Sequence, residues 1–166
     1  MDRKNDKSQY SSAPTLQHSM PSILGVIPAR WGSIRFPGKS LAMIAGKPLI
    51  QRVVERVKLA KRLSGVLVAT DDARIRDVVA GLGVEVAMTR PDHPSGTDRI
   101  AEAVSGRKAD IVINIQGDEP LIDPALIDRL AVVLADDAAG EWDMATAAAA
   151  IVSGDDVVNP SVVKVV

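Results

Sequence analysis

The chain contains no cysteine in its 166 residues, which excludes thiol catalysis, disulfide bridges and thiolate metal sites. Two tryptophans, one tyrosine and one phenylalanine are its whole aromatic content, too few to build a stacking platform for single-stranded nucleic acid. Its two histidines, His18 and His93, leave little room for a histidine metal cluster. Neither sign of charge dominates: the net charge is −1, so there is no electrostatic footprint for duplex nucleic acid. No apolar run reaches the ~18 residues of a membrane span. What remains is a globular composition, 46% hydrophobic and 25% charged, long enough for one domain with a real core.

The first 21 residues are polar, carry Pro14 and Pro21, and lack an apolar core of signal-peptide length. They are expected to form a disordered tail that includes His18, ahead of a folded domain over 22–166. Met20, just before the first apolar run, offers an alternative start.

From there the chain alternates. Ile23–Ile27 reads as a strand. Leu49, Ile50, Val53, Val54, Val57, Ala60 and Leu63 recur at helical spacing, with Pro48 suited to the first turn and Gly65 as the break. Val66–Ala69 reads as a strand, and Thr70-Asp71-Asp72 as a cap for a helix through Leu82 that stops at Gly83. A strand over Val84–Met88, a helix over 97–105, a strand over 111–115 and a helix over 124–136 follow. Met144–Ile151 is expected as a strand, although its four alanines also tolerate helix, and Val162–Val166 as a strand that stops abruptly. Continuous apolar strands alternating with helices imply an α/β fold, a mostly parallel sheet with helices on both faces. The abrupt ending suggests a C-terminally truncated domain.

Two segments carry chemistry. The strand ending in Gln116-Gly117-Asp118-Glu119-Pro120 presents a carboxylate where parallel sheets bind ligands; with glycine beside it, that carboxylate suits a hard cation carrying a phosphate. The other segment follows the first strand. Between Pro28 and Pro48 stand Arg30, Arg35, Lys39 and Lys47 and no acid. A basic, glycine-bearing loop there is a plausible triphosphate cradle. Gly38-Lys39-Ser40 resembles the end of a P-loop, but that motif needs glycine at position 33, which is Ser. Pro37 also removes an amide, and the helix begins only near Pro48. No G-x-G-x-x-G follows the first strand, which disfavours a dinucleotide and hydride transfer.

Six segments in order resemble one family: Ile27–Leu41, Ile44–Ile50, Val68–Asp72, Met88–Arg99, Asn114–Ile122 and Asn159–Val166. Together they resemble the CMP-Kdo synthetases, 3-deoxy-manno-octulosonate cytidylyltransferases of Gram-negative bacteria, from about residue 23 onward. The resemblance implies the Rossmann-like three-layer nucleotidyltransferase fold. It also implies a Mg²⁺-dependent, cytoplasmic transferase of lipopolysaccharide biosynthesis that joins CTP and Kdo into CMP-Kdo and pyrophosphate, and a homodimer at full length. Trp31, Ile34, Phe36 and Met43 depart from the family's usual residues: tyrosine or a small residue, threonine or serine, leucine, and an acid. None of these removes a charge assigned to the site.

Carried onto this sequence, the resemblance assigns the triphosphate to Arg30 and Lys39, with Ala29 and the backbone of Gly32 and Ser33. Arg35 either joins them or is solvated. Asp118 is the Mg²⁺ ligand, with Glu119 structural or behind it. Gln116 stands between nucleotide and sugar. Ser95, Gly96 and, more loosely, Arg90 border cytosine and ribose. Thr70 either presents its backbone to the base or, with Asp71 and Asp72, caps a helix. His93 tempts as a general base, but a loop histidine is more often solvated or capping. The family's second metal aspartate, most of its sugar pocket and much of its dimer interface lie beyond the matching segments. Two alternatives stand beside this: a cytidylyltransferase for another acid sugar, amino-Kdo or sialic-acid-like, or a catalytically silent nucleotide-binding fragment.

Overall fold

The computed structural model describes residues 20–32, 36–137 and 139–165. The expectations for the tail over 1–19, for His18, and for Ser33 and Arg35 lie outside the described residues.

Strand β1 (Ile23–Ala29) forms the centre of a four-stranded parallel sheet. On one side it pairs with β4 (Gly65–Thr70), which pairs in turn with β5 (Glu85–Met88); on the other it pairs with β6 (Ile111–Asn114). The order is thus β5-β4-β1-β6. The chain walks outward from β1 in one direction and then jumps back to the other side. The C-terminal ends of β1 and β6 flank this switch point, where α/β sheets open a crevice.

Alternation along β1 sends its side chains to two cores. Ile23, Ile27 and Ala29 face helices α1 (Leu49–Val57), α2 (Ala73–Ala80) and α4 (Pro124–Ala135). Val26, with Leu67 and Ala69 of β4, faces Ile100 and Ala103 of α3 (Gly96–Val104). This is the expected layered α/β sandwich with helices on both faces. The caps are those that the sequence marks. Asp72 accepts from the amide of Arg74, Ser95 from that of Asp98 and Asp123 from that of Ala125, with Pro124 in the first turn of α4.

Three expectations need correction. Helix α1 stops at Val57 rather than running on to Leu63. Ala60 and Leu63 still pack on the core, but from a turn whose amides at Lys61 and Arg62 are taken by the Asp128 carboxylate; helical spacing there records burial without a helix. Met144–Ile151 forms neither strand nor helix, and 162–165 forms no strand. Both stretches are largely exposed, among the described residues neither pairs with a strand, and a run of alanines offers little surface to hold one. Two short strands, β2 (Met43–Ile44) and β3 (Lys47–Pro48), make an antiparallel hairpin ahead of α1, and α5 (Gly154–Val158) is a short turn of helix capped by Ser153.

Candidate functional site

At the switch point lies an open cavity of about 510 Å³, the size range of small-molecule sites. The end of β1 contributes Pro28, Ala29 and Arg30; the turn after β6 contributes Gln116, Gly117 and Asp118. The basic loop adds Phe36, Lys39 and Ser40, and the segment into α3 adds His93, Pro94, Ser95, Gly96 and Arg99. Gly117 is required by the close approach of the two strand ends: a Cβ there would stand 2.6 Å from the Pro28 carbonyl oxygen.

Of the residues singled out from the sequence, Ala29, Arg30, Lys39, Ser95, Gly96, Gln116 and Asp118 line this cavity. Gly32, Thr70 and Arg90 do not. Thr70 is buried at the end of β4, where its carbonyl accepts from the Thr89 amide at 2.8 Å and its hydroxyl from the Asp72 amide at 3.2 Å. Arg90 is exposed and faces Asp92 and Glu102.

The rim is mostly cationic. Lys39 Nζ lies 2.6 Å from Asp118 Oδ2. Among the described residues no carboxylate is ion-paired with Arg30. The N-terminus of α3 opens at Ser95 and Gly96, and its dipole and amides favour an anion. Cations and one carboxylate converge as they would on a phosphate chain carrying a divalent ion.

Behind the rim is a buried ion pair. Arg99 is 2% exposed. It donates to Asp71 Oδ2 at 3.1 Å and to the Thr89 hydroxyl. Asp71 Oδ1 accepts from the Trp31 amide at 3.1 Å. Asp71 therefore ties the basic loop to the sheet, while Asp72 alone serves as the cap. His93 is buried rather than solvated, and its Nε2 pairs with Glu102. That hydrogen bond, helped by the Arg90 amide and against the effect of burial, holds the Glu102 pKa below its ordinary value. Asp72 is likewise lowered, chiefly by its hydrogen bond to Arg74, whose own pKa is raised by the same contact. The sequence offered a signal for these groups, since Asp71 and Arg99 sit inside two of the six segments that carry the family resemblance. Their pairing across 28 residues was not visible in it.

A crevice at the switch point of a parallel sheet is where an α/β protein binds its ligand, and the cations around this one suit a phosphate-bearing ligand. A family model described as Cytidylyltransferase matches residues 24–166, and the chain belongs to that family. It is 53% identical over 148 residues to an 8-amino-3,8-dideoxy-manno-octulosonate cytidylyltransferase of Shewanella putrefaciens, covering 87% of this chain and 60% of the relative. It is 51% identical over 145 residues to a 3-deoxy-manno-octulosonate cytidylyltransferase of Geobacter sulfurreducens, covering 87% and 57%. Among solved structures it is similar to a CMP:2-keto-3-deoxy-manno-octonic acid synthetase complexed with CTP, with TM-score 0.68 and 48% identity over 70% of this chain and 48% of the other. The chain thus spans about 60% of the length of these curated relatives. Among the described residues no helix is long and apolar enough to cross a membrane.

Proposed function

We propose that the cavity binds CTP, and that the chain supplies the nucleotide-binding part of a cytidylyltransferase acting on 3-deoxy-manno-octulosonate. The observation that carries this reading is the placement of Arg30, Lys39, Asp118 and the α3 N-terminus around one cavity, in a chain 51% identical to an enzyme with that name. In the reaction, a hydroxyl oxygen of the sugar acid bonds to the α-phosphorus of CTP. The bond from that phosphorus to the bridging oxygen breaks, pyrophosphate leaves and the hydroxyl proton is lost. Arg30 and Lys39 hold the phosphates and offset the charge that gathers on the leaving pyrophosphate. The α3 N-terminus, through Ser95 and Gly96, borders the nucleoside side, and Gln116 stands between nucleotide and sugar.

A Mg²⁺ ion belongs to this reading. Among the described residues no three acidic or histidine side chains cluster as a protein-only metal site. One half-exposed carboxylate on the rim of a cation-lined cavity does fit Mg²⁺, which takes few protein ligands and keeps phosphate oxygens and water. Asp118 would hold it, and the ion would supply charge neutralisation at the phosphates. CTP consumption fits a cytoplasmic enzyme, and a chain of the relatives' full length is expected to be a homodimer.

The relatives favour a second substrate equally: the 8-amino-3,8-dideoxy sugar named for the Shewanella enzyme. Pyrophosphate release from CTP with each sugar acid separates the two. Release with neither, while CTP still binds, leaves the chain a nucleotide-binding module.

A further inference from the structure

Trp31 is gripped from three directions, although it does not line the cavity. Its amide donates to Asp71, which the buried Arg99 fixes in turn. The Arg74 guanidinium carbon lies 3.3 Å from the centre of its ring, a cation–π contact, and Arg74 is itself held by Asp72. The Trp31 carbonyl accepts from the Gly38 amide at 2.9 Å. Gly38 is buried, has φ of +71°, and a Cβ on it would stand 2.7 Å from the indole. The ring thus packs between Arg74 on α2 and the bare backbone of Gly38.

We propose that Trp31 is a positioning residue for the triphosphate. Arg30 immediately precedes it, and Lys39 immediately follows Gly38, so the two cations flank the two ends of the loop that Trp31 joins. Fixing 31 against 38 sets the spacing of those cations before ligand arrives, and the ordering entropy is spent on folding rather than binding. A tryptophan here gives the loop a larger plate than a small residue could, and only glycine at 38 leaves room for it.

The inference rests on the CTP reading. Its test is calorimetric titration of CTP and CMP, with Mg²⁺, into the unsubstituted chain, Trp31→Ala, Trp31→Phe and Arg74→Met, each checked by thermal melting. CTP affinity should fall roughly tenfold in Trp31→Ala, the scale of one lost ordering contact. CMP, which lacks the β- and γ-phosphates, should lose little. Trp31→Phe should recover most of the loss. Arg74→Met, altered at an exposed side chain, should show a smaller loss in the same direction, and it decides the matter if Trp31→Ala fails to fold. Unchanged CTP affinity in the folded variants overturns the positioning role alone. Equal losses for CTP and CMP overturn it too, as damage to the fold. No CTP binding by the unsubstituted chain overturns the nucleotide reading and this inference with it.

Discussion

Lys39 Nζ and Asp118 Oδ2 meet at 2.6 Å, joining the basic loop to the turn after β6 across 79 residues of sequence. Both side chains are close to half exposed, 43% and 49%. A pair so wetted contributes ~0–1 kcal/mol to folding. Its meaning lies in the site: on the proposed reading, Lys39 would turn to a triphosphate and Asp118 to Mg²⁺ once both bind, and until then the two neutralise one another.

Lys39→Ala and Asp118→Ala should therefore leave the melt nearly unchanged, within about 1 kcal/mol of stability. Pyrophosphate release from CTP should fall on the order of 10²–10³ for Lys39→Ala, as for loss of one preorganised charge contact. Asp118→Ala should nearly abolish Mg²⁺-dependent release. Turnover at the unsubstituted rate in either variant removes that residue from the site.

Arg99 behaves differently because it is buried. Replacing it with Leu strands the Asp71 carboxylate and frees the Trp31 amide's anchor. The expected cost is about 3–5 kcal/mol, the scale of breaking a buried ion pair by one partner. Urea unfolding of Arg99→Leu and of Arg99→Leu with Asp71→Asn measures it, and the double variant should recover part of the loss. A cost of less than ~1 kcal/mol would place the pair among wetted ones.

Gly117→Ala should destabilise by about 1–3 kcal/mol, because the new methyl must push apart two strand ends, its Cβ otherwise lying 2.6 Å from the Pro28 carbonyl. Gly32→Ala is the matched control, since among the described residues nothing lies within 4 Å of a Cβ there. Equal melts for the two variants would contradict the close approach.

Much of this was legible in the chain. β1 and β4 announce themselves as continuous apolar runs because helices cover both of their faces, and β6 reads the same way although Val112 and Asn114 on one of its faces are exposed. Asp72, Ser95 and Asp123 mark their helices because capping is local chemistry. The Lys39–Asp118, Arg99–Asp71 and Trp31–Arg74 pairings were not legible, since each joins residues that only the folded sheet brings together. The failures at Leu63 and Met144–Ile151 share one cause: hydrophobic spacing reports which residues are apolar, and tertiary neighbours decide whether an element forms around them.

Glu102 gives an acid-side signature. Its folded pKa is depressed below the ordinary 4.5, first by the His93 hydrogen bond, in a setting that also holds Arg90 and Asp92. A depressed carboxylate stabilises the fold above its unfolded pKa, and that stability is lost as pH falls through the folded value. Between roughly pH 5 and 3 the unsubstituted chain should lose stability more steeply than Glu102→Gln. Asp72 titrates in the same direction, so the variant's slope should be reduced rather than flat. Identical slopes would mean that the His93 contact does not favour the carboxylate.

The most direct test of the nucleotide reading is a thermal melt of this chain with Mg²⁺ and, separately, CTP, UTP, ATP and GTP. Ligand at a hundredfold excess over its dissociation constant adds about 2.7 kcal/mol of stability. A cooperative melt raised by CTP and little by the other three is the expected result. A cooperative melt that none of the four nucleotides moves would contradict a CTP site in this cavity.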